Sequence, residues 1–183
     1  MLRELCEKAQ SCARCGLSEA RTNVVFGEGS STAGLMFIGE GPGRDEDAQG
    51  RPFVGRAGKL LTQMIEEMGM TREEVYIANI VKCRPPGNRE PAPEEAIACR
   101  DYLMAQIAFI QPKIVCALGR VALVNLIPQE IAMNKAHGKA ISWKGMHLMP
   151  VYHPAAALRS SNLKRTLEAD FRELRKLVEK TNV

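Results

Sequence analysis

The sequence contains no apolar run approaching the ~18 residues that a membrane span needs, and Met1–Glu4 does not begin an apolar signal region. These absences predict a soluble, cytoplasmic protein. No one sign of charge dominates either. The net charge is +4 and the pI about 8.8, which permits an anionic partner without requiring one.

The apolar residues form short continuous runs, which indicate strands buried on both faces. Four such strands are predicted: Leu35–Ile38, Val75–Ile80, Ile114–Leu118 and Leu148–Tyr152. Pro150 lies inside the last run, and a proline is unusual within a central strand because it cannot donate to a neighbouring strand.

Helical patterns lie between these strands and after them. The predicted helices are Gly58–Met68, Pro93–Gln111, one that begins near Arg120, and Leu163–Lys180. Strands that alternate with helices predict an α/β protein with helices on both faces of a parallel sheet. At 183 residues, the chain is expected to form a single domain, 1–183.

The residues after each predicted strand are informative, because ligands of parallel α/β sheets bind at the carboxyl ends of the strands. The first strand leads into Gly39-Glu40-Gly41-Pro42-Gly43, which is neither a dinucleotide-binding fingerprint nor a Walker motif. At Gly41 a ligand could approach the backbone N–H closely, and Glu40 would face the crevice from a fixed position. A turn-rich connection without function is the alternative.

Three more residues near the strand ends have both a structural and a functional interpretation. Asn79 interrupts an apolar strand, so its amide either bonds to a neighbouring loop or reads the edge of a nucleobase. His153 lies at the mouth of the sheet, although a lone histidine is more often structural. Phe53 is either core packing or a stacking platform for a flat ligand.

Four of the six cysteines form a set that could hold a metal. Cys12 and Cys15 form a C-x-x-C motif, and Cys83 and Cys99 flank a proline-rich loop with fifteen residues between them. Without a secretory signal, a disulfide framework is not expected. Zinc and an iron–sulfur cluster both fit, and the spacing does not decide between them. Free thiols and a C-x-x-C redox pair are the alternatives.

Basic side chains are scattered over predicted loops and the last helix. They are most simply solvated surface, but several lie beside the predicted crevice, where they would suit contacts to phosphate. The candidates are Arg84, Arg89, Arg159 and Lys164.

Taken together, these motifs resemble those of the family 4 uracil-DNA glycosylases, the iron–sulfur type of bacteria and archaea. The matching segments follow the family's order along nearly the whole chain, and their combination is far more specific than any single part. They are Cys12-x-x-Cys15, Gly39–Gly43, Gly50–Gly55, Asn79 with Lys82–Pro86, Cys99, and His153–Ala155.

The resemblance implies a three-layer α/β/α sandwich around a four-stranded parallel sheet. It also implies an N-terminal arm, residues 1 to about 25, that carries two ligands of a [4Fe-4S] cluster on Cys12, Cys15, Cys83 and Cys99. The implied reaction is hydrolysis of the N-glycosidic bond of uracil in single- or double-stranded DNA. It releases uracil and leaves an abasic site, and the protein is expected to act as a monomer.

The resemblance assigns the chemistry of that reaction to three residues. Glu40 would stabilise the cationic sugar or position the attacking water. The Gly41 N–H and His153 would donate hydrogen bonds to uracil O2 as negative charge develops there.

It assigns recognition of the base to three others. Asn79 would read the uracil edge and reject cytosine, and Phe53 would stack on the flipped base. Glu46 would border uracil C5 and disfavour the methyl group of thymine.

Two positions differ from related glycosylases. The loop Lys82–Arg89 carries no histidine, unlike that of covalently self-trapping relatives, and Gly41 stands where cluster-free glycosylases carry an aspartate. Two other functions stay open. A redox or electron-transfer protein would use the four cysteines but leave Glu40, Asn79 and His153 unexplained. A zinc-containing nucleic-acid-binding module would lack catalysis.

Overall fold

Six strands form one sheet in the computed structural model, which describes residues 2–127 and 131–183. Its strands are β1 (Glu28–Gly29), β2 (Leu35–Gly39), β3 (Tyr76–Asn79), β4 (Ile114–Leu118), β5 (Ile141–Trp143) and β6 (Met146–Val151). Their order across the sheet is β1-β3-β2-β4-β6-β5. The four central strands are parallel, and β1 and β5 join the two edges antiparallel.

The four central strands are those predicted from the sequence, with ends shifted by at most two residues. Pro150 is accommodated within β6, opposite Ala117 of β4. The edge strand β5 pairs only with Met146–Leu148, so no strand on that side needs a hydrogen bond from Pro150. The edge strands were not predicted, because two or three residues are too few to show a pattern.

Helices cover both faces of the sheet. They are α1 (Leu2–Gln10), α2 (Leu17–Ala20), α3 (Arg44–Gln49), α4 (Arg56–Glu67), α5 (Pro93–Ile110), α6 (Arg120–Leu126), α7 (Met133–Ala136), α8 (Pro154–Ala157) and α9 (Ser161–Thr181). The four predicted helices are confirmed as α4, α5, α6 and α9. None of the helices described is both long and apolar enough to cross a membrane.

Successive side chains of a strand point to opposite faces, and β2 shows how this builds two cores. Leu35 and Phe37 pack with residues of α4 and α9, and the Phe37 ring stacks on Phe171 with centroids 6.0 Å apart. Met36 and Ile38 pack on the other face, with residues of α5 and α6. The three-layer α/β/α sandwich is therefore confirmed.

The N-terminal segment packs into the core that Met36 and Ile38 form with α5 and α6. Ala9 and Leu17 are buried in it, and the Tyr102 hydroxyl of α5 donates to the Lys8 carbonyl at 3.4 Å. This packing brings Cys12 and Cys15 against α5 and the segment that follows β3.

The register of the sheet aligns the ends of its strands. Gly39, the last residue of β2, lies opposite Asn79, the last residue of β3. Leu118 of β4 lies opposite Val151 of β6, two residues before His153. Residues far apart in the sequence therefore meet at one edge of the sheet.

Candidate active site and cysteine pocket

A cleft of about 860 Å³ opens at this edge of the sheet. It brings together all the residues predicted for catalysis and base recognition, and three of the four predicted phosphate contacts. These lining residues are Glu40, Gly41, Glu46, Phe53, Asn79, Arg84, Arg89, His153 and Arg159. The fourth predicted phosphate contact, Lys164, lies outside the lining, on the exposed first turn of α9.

Asn79 presents an unpaired acceptor to the cleft. Its side chain is 1% exposed, and its Oδ1 is the one buried side-chain nitrogen or oxygen among the described residues without a hydrogen-bond partner. Leaving such an atom unpaired costs about 1–3 kcal/mol, which a ligand that donates a hydrogen bond would offset.

Phe53 and Asn79 come close together because residue 39 is a glycine. A Cβ on Gly39 would lie 2.5 Å from both Asn79 Oδ1 and the tip of the Phe53 ring. The Phe53 ring also faces His153, with centroids 5.7 Å apart and planes tilted by 30°. Ring, amide and imidazole therefore border one space, and its shape suits a flat polar molecule.

His153 is held as a neutral donor. The backbone N–H of Ala155 donates to His153 Nδ1 at 3.1 Å, so Nδ1 carries no proton and the neutral ring keeps its proton on Nε2. Burial lowers the pKa of His153 to about 4, although the Glu46 carboxylate opposes that change. Near pH 7 the side chain is thus an uncharged hydrogen-bond donor.

Glu40 is a carboxylate without a fixed partner. It is half-buried, and its side-chain oxygens make no hydrogen bond or ion pair to any described residue, although its backbone carbonyl accepts from the Val81 N–H. Burial raises its pKa first, the Glu90 carboxylate raises it further, and Arg120 partly offsets both. Arg120 is itself paired with Glu90 at 2.7 Å.

Glu46 bonds to the backbone at two places in the glycine-rich segment, residues 39–55. Its Oε1 accepts from the N–H groups of Val54 and Gly55 at 2.9 and 2.8 Å, and its Oε2 accepts from Gly43 at 3.2 Å. This carboxylate lines the cleft, but both of its oxygens already accept hydrogen bonds from backbone N–H groups. Its role against thymine stays a prediction.

The predicted phosphate contacts differ in how free they are. Arg89 forms a two-point ion pair with Glu95 at 2.7 and 2.8 Å, and Glu95 also caps α5 through the Ala92 N–H. Arg84 donates to the neighbouring Asn88 side chain at 2.7 Å.

The four predicted ligand cysteines line one small pocket between the N-terminal segment, the residues after β3, and α5. Cys99 lies within α5 rather than in the loop that precedes it. Two N–H groups approach the sulfurs: Arg21 Nη1 lies 3.2 Å from Cys83 Sγ, and the Lys82 N–H lies 3.3 Å from Cys99 Sγ.

The electrostatics of this pocket depend on whether the sulfurs carry charge. Burial raises the pKa of both Cys83 and Cys99, while Arg21 and Lys82 act in the opposite direction. Bonding to a metal stabilises the thiolate form and removes this cost. No three His, Cys, Asp or Glu side chains in the described parts of the chain are placed to hold one metal ion.

Residues 26–176 match the Uracil DNA glycosylase superfamily. A type-4 uracil-DNA glycosylase of Sulfurisphaera tokodaii is 47% identical, over 96% of this chain and 84% of the relative. The type-4 enzyme of Thermotoga maritima is 45% identical, over 95% of this chain and 93% of the relative. That of Archaeoglobus fulgidus is 43% identical, over 96% of this chain and 92% of the relative. The chain belongs to the type-4 uracil-DNA glycosylases.

The match to this family includes the cysteine-bearing segment. The superfamily match begins at residue 26, after both cysteines of the C-x-x-C motif. The alignments that cover 96% of this chain leave fewer than ten residues outside, so Cys12 and Cys15 fall within them.

Sequence reasoning missed several residues of this glycosylase cleft, among them Arg44, Arg56 and Leu158. The two arginines are the first residues of α3 and α4, each directly after a glycine of the glycine-rich segment, and that position was the available signal. Leu158 follows α8 and is 41% exposed, although it is a large apolar residue. Nothing in its sequence context separates it from a core leucine.

Proposed function

We propose that this chain removes uracil from DNA by hydrolysing the bond between the base and deoxyribose. The observation that carries the proposal is the orphaned Asn79 Oδ1, which lies in the same cleft as Glu40, Phe53 and His153. A buried, unpaired acceptor next to an aromatic ring and a neutral donor is complementary to a flat base with its own donor. Such a base must leave the DNA stack to enter the cleft.

Asn79 would distinguish uracil from cytosine. Uracil carries a hydrogen on N3 and a carbonyl at C4, so Oδ1 could accept from N3–H while the amide NH₂ donates to O4. Cytosine has a lone pair at N3 and an amino group at C4, so with the amide in this orientation both contacts would be lost and the Asn79 acceptor would stay unpaired. Sites built on buried hydrogen bonds reject such analogues strongly, because unpaired polar groups are costly there.

His153 and Gly41 would stabilise the departing base. Negative charge develops on uracil as the bond breaks, and preorganised donors at O2 lower the barrier. The Nε2–H of His153 is one donor. The Gly41 N–H, which has no partner among the described residues, is the other.

Glu40 would act on the sugar. Deoxyribose gains cationic character in the transition state, and a carboxylate next to it can stabilise that charge or orient the attacking water. The absence of a protein partner for Glu40 leaves both oxygens available for this role.

The rim of the cleft would bind the DNA backbone. Arg44, Arg56, Arg84 and Arg159 surround the opening and could contact phosphates on either side of a flipped nucleotide. Leu158 on the same rim could fill the gap in the stack, as apolar wedges do in other DNA-bending proteins.

The cysteine pocket would hold a [4Fe-4S] cluster on Cys12, Cys15, Cys83 and Cys99. The four sulfurs border one pocket, as a cluster with one cysteine on each iron requires, and the family resemblance favours that cluster over zinc. When bound, the cluster supplies a structural cross-link. The residues themselves join the N-terminal segment to α5 and to the end of β3.

The chain would act as one domain and as a monomer. The N-terminal segment shares a core with α5, which supports a single unit. A flipped nucleotide needs only the one cleft, and a DNA substrate is consistent with the cytoplasmic location predicted from the sequence.

The function is tested by incubating purified protein with duplex and single-stranded DNA that contains one uracil, followed by alkaline cleavage of abasic sites. We expect cleavage at the uracil and none in matched DNA with cytosine or thymine at that position. Absence of cleavage, with the protein folded and its iron intact, would favour a redox protein or a non-catalytic binding module.

Asn79→Asp should lose uracil excision by about 100-fold or more, because the ionised carboxylate replaces the amide donor with a second acceptor. Weak excision of cytosine is expected to appear, since the new acceptor can receive the cytosine amino group. Single-turnover rates on uracil and cytosine substrates measure both effects. Asn134→Asp, on the exposed surface of α7, is the control, and unchanged uracil excision by Asn79→Asp would make Asn79 merely structural.

The fall in excision rate at low pH should be caused by protonation of Glu40 and not of His153. As pH falls, Glu40 takes up a proton around a pKa that burial raises above its usual value, which removes its negative charge, while His153 stays neutral until about pH 4. The single-turnover rate of wild type should therefore fall before His153 protonates. In Glu40→Gln the rate should be lower and should lack this early decline. An identical acid limb in both proteins would contradict the assignment.

Protein purified without oxygen should be brown and contain about four irons per chain, the number in one [4Fe-4S] cluster. Cys12→Ser or Cys99→Ser should lose most of the iron, whereas Cys6→Ser, on the nearby α1, should retain it. Metal analysis and visible absorbance give the answer. Stoichiometric zinc without iron would exclude the cluster.

A further inference from the structure

Phe53 reaches the cleft in an uncommon backbone conformation. Its φ is 51°, in the left-handed region that few non-glycine residues occupy. The Phe53 carbonyl also packs against α4 where residue 58 is a glycine, and a Cβ on Gly58 would fall 1.9 Å from that oxygen. Such a conformation persists only where surrounding groups hold it.

One side chain from a distant part of the sequence holds this segment. Arg72 Nη2 donates to the Pro52 carbonyl, and Nη1 donates to the Phe53 carbonyl at 3.1 Å. The guanidinium is anchored in turn by Glu28 Oε1 at 2.7 Å and by Thr62 Oγ1 at 3.1 Å. Its side chain is only 13% exposed.

We propose that Arg72 is a positioning residue for base recognition, and that it acts by holding the Phe53 ring in the plane where the flipped base stacks. The proposal rests on the stacking role given to Phe53 above. A planar guanidinium bonded to two successive carbonyls fixes the orientation of the peptide between them, which a single point charge would not do. Because Phe53 follows that peptide directly, its ring direction depends on the contact.

Arg51 provides a matched comparison within the same network. Its guanidinium pairs with the same carboxylate, Glu28, at 2.8 and 3.1 Å, but it makes no contact with the Pro52 or Phe53 carbonyl. It is also more exposed, at 57%. Removing either arginine costs one ion pair with Glu28, and only the loss of Arg72 frees the Phe53 backbone.

The experiment compares Arg72→Met with Arg51→Met, using the purified holoprotein well below its melting temperature. Small displacements in an active site can cost up to about 100-fold in rate, so Arg72→Met should slow single-turnover uracil excision about 10-fold and Arg51→Met less than 2-fold. Inhibition by free uracil is the second readout, since it reports the base pocket without DNA. It should weaken about 10-fold in Arg72→Met alone.

A double-mutant cycle tests whether Arg72 acts through Phe53. Phe53→Ala should slow excision about 10-fold or more, and adding Arg72→Met to it should cause little further loss. Fully additive losses, or an Arg72→Met variant that behaves like Arg51→Met, would overturn the positioning role and leave the glycosylase function intact. Normal excision by Phe53→Ala would instead overturn the stacking role and this proposal with it.

Thr62→Val provides a milder perturbation if Arg72→Met does not fold. It removes one anchor of Arg72 at nearly constant volume, and Thr62→Ser retains the hydroxyl. Thr62→Val should slow excision and weaken uracil inhibition about 2- to 3-fold, with Thr62→Ser unchanged. Equal values for both variants and wild type would overturn the proposal.

Discussion

The cleft at the strand ends and the cysteine pocket are both tied to one buried residue. Lys82 is 2% exposed, and its Nζ donates to the Asn79 carbonyl at 2.9 Å and to Gln106 Oε1 at 2.6 Å. Its own N–H points to Cys99 Sγ, and the next residue is Cys83. A buried lysine is costly unless its protons are bonded, and here the bonding partners are the end of β3 and the middle of α5. The end of β3 and the cysteine pocket are thus both held by Lys82, the first through its side chain and the second through its backbone N–H.

This connection gives the cysteine pocket a physical relation to catalysis that does not require electron transfer. The Gln106 amide continues the network by donating to the Phe26 carbonyl and the Tyr76 hydroxyl. Through these bonds α5 is tied to β3 and to the segment that precedes β1. A cross-link at the cysteines would restrain α5 against the N-terminal segment, and through Lys82 it would restrain the strand end that carries Asn79.

Much of this arrangement could be predicted from the sequence, because its signals are local. Continuous apolar runs located the parallel strands, and residues directly after them, such as Glu40 and His153, were placed correctly at one edge. What could not be predicted depends on partners far apart in the chain. The two-residue strand β1 forms only by pairing with β3. The carboxylate of Glu46 accepts hydrogen bonds from N–H groups eight and nine residues later in the chain. No local pattern shows that Arg72 would bond to the carbonyl of Phe53.

The cleft imposes the same desolvation on an acid and a base, with opposite consequences for their use. Burial favours the neutral form of both groups, so it raises the pKa of Glu40 and lowers that of His153. For His153 the neutral form suits the role proposed above, because Nδ1 stays free to accept from Ala155 and Nε2–H would be available to donate to the base. For the role proposed for Glu40 it is a cost, because a carboxylate would stabilise a cationic sugar only in its ionised form. That cost is limited by leaving Glu40 half-buried and by the presence of Arg120. A deeper Glu40 would be neutral too often, and a more exposed one would act through water, where its field is weak. The position of Glu40 at the strand end, between the floor of the cleft and its basic rim, satisfies both requirements.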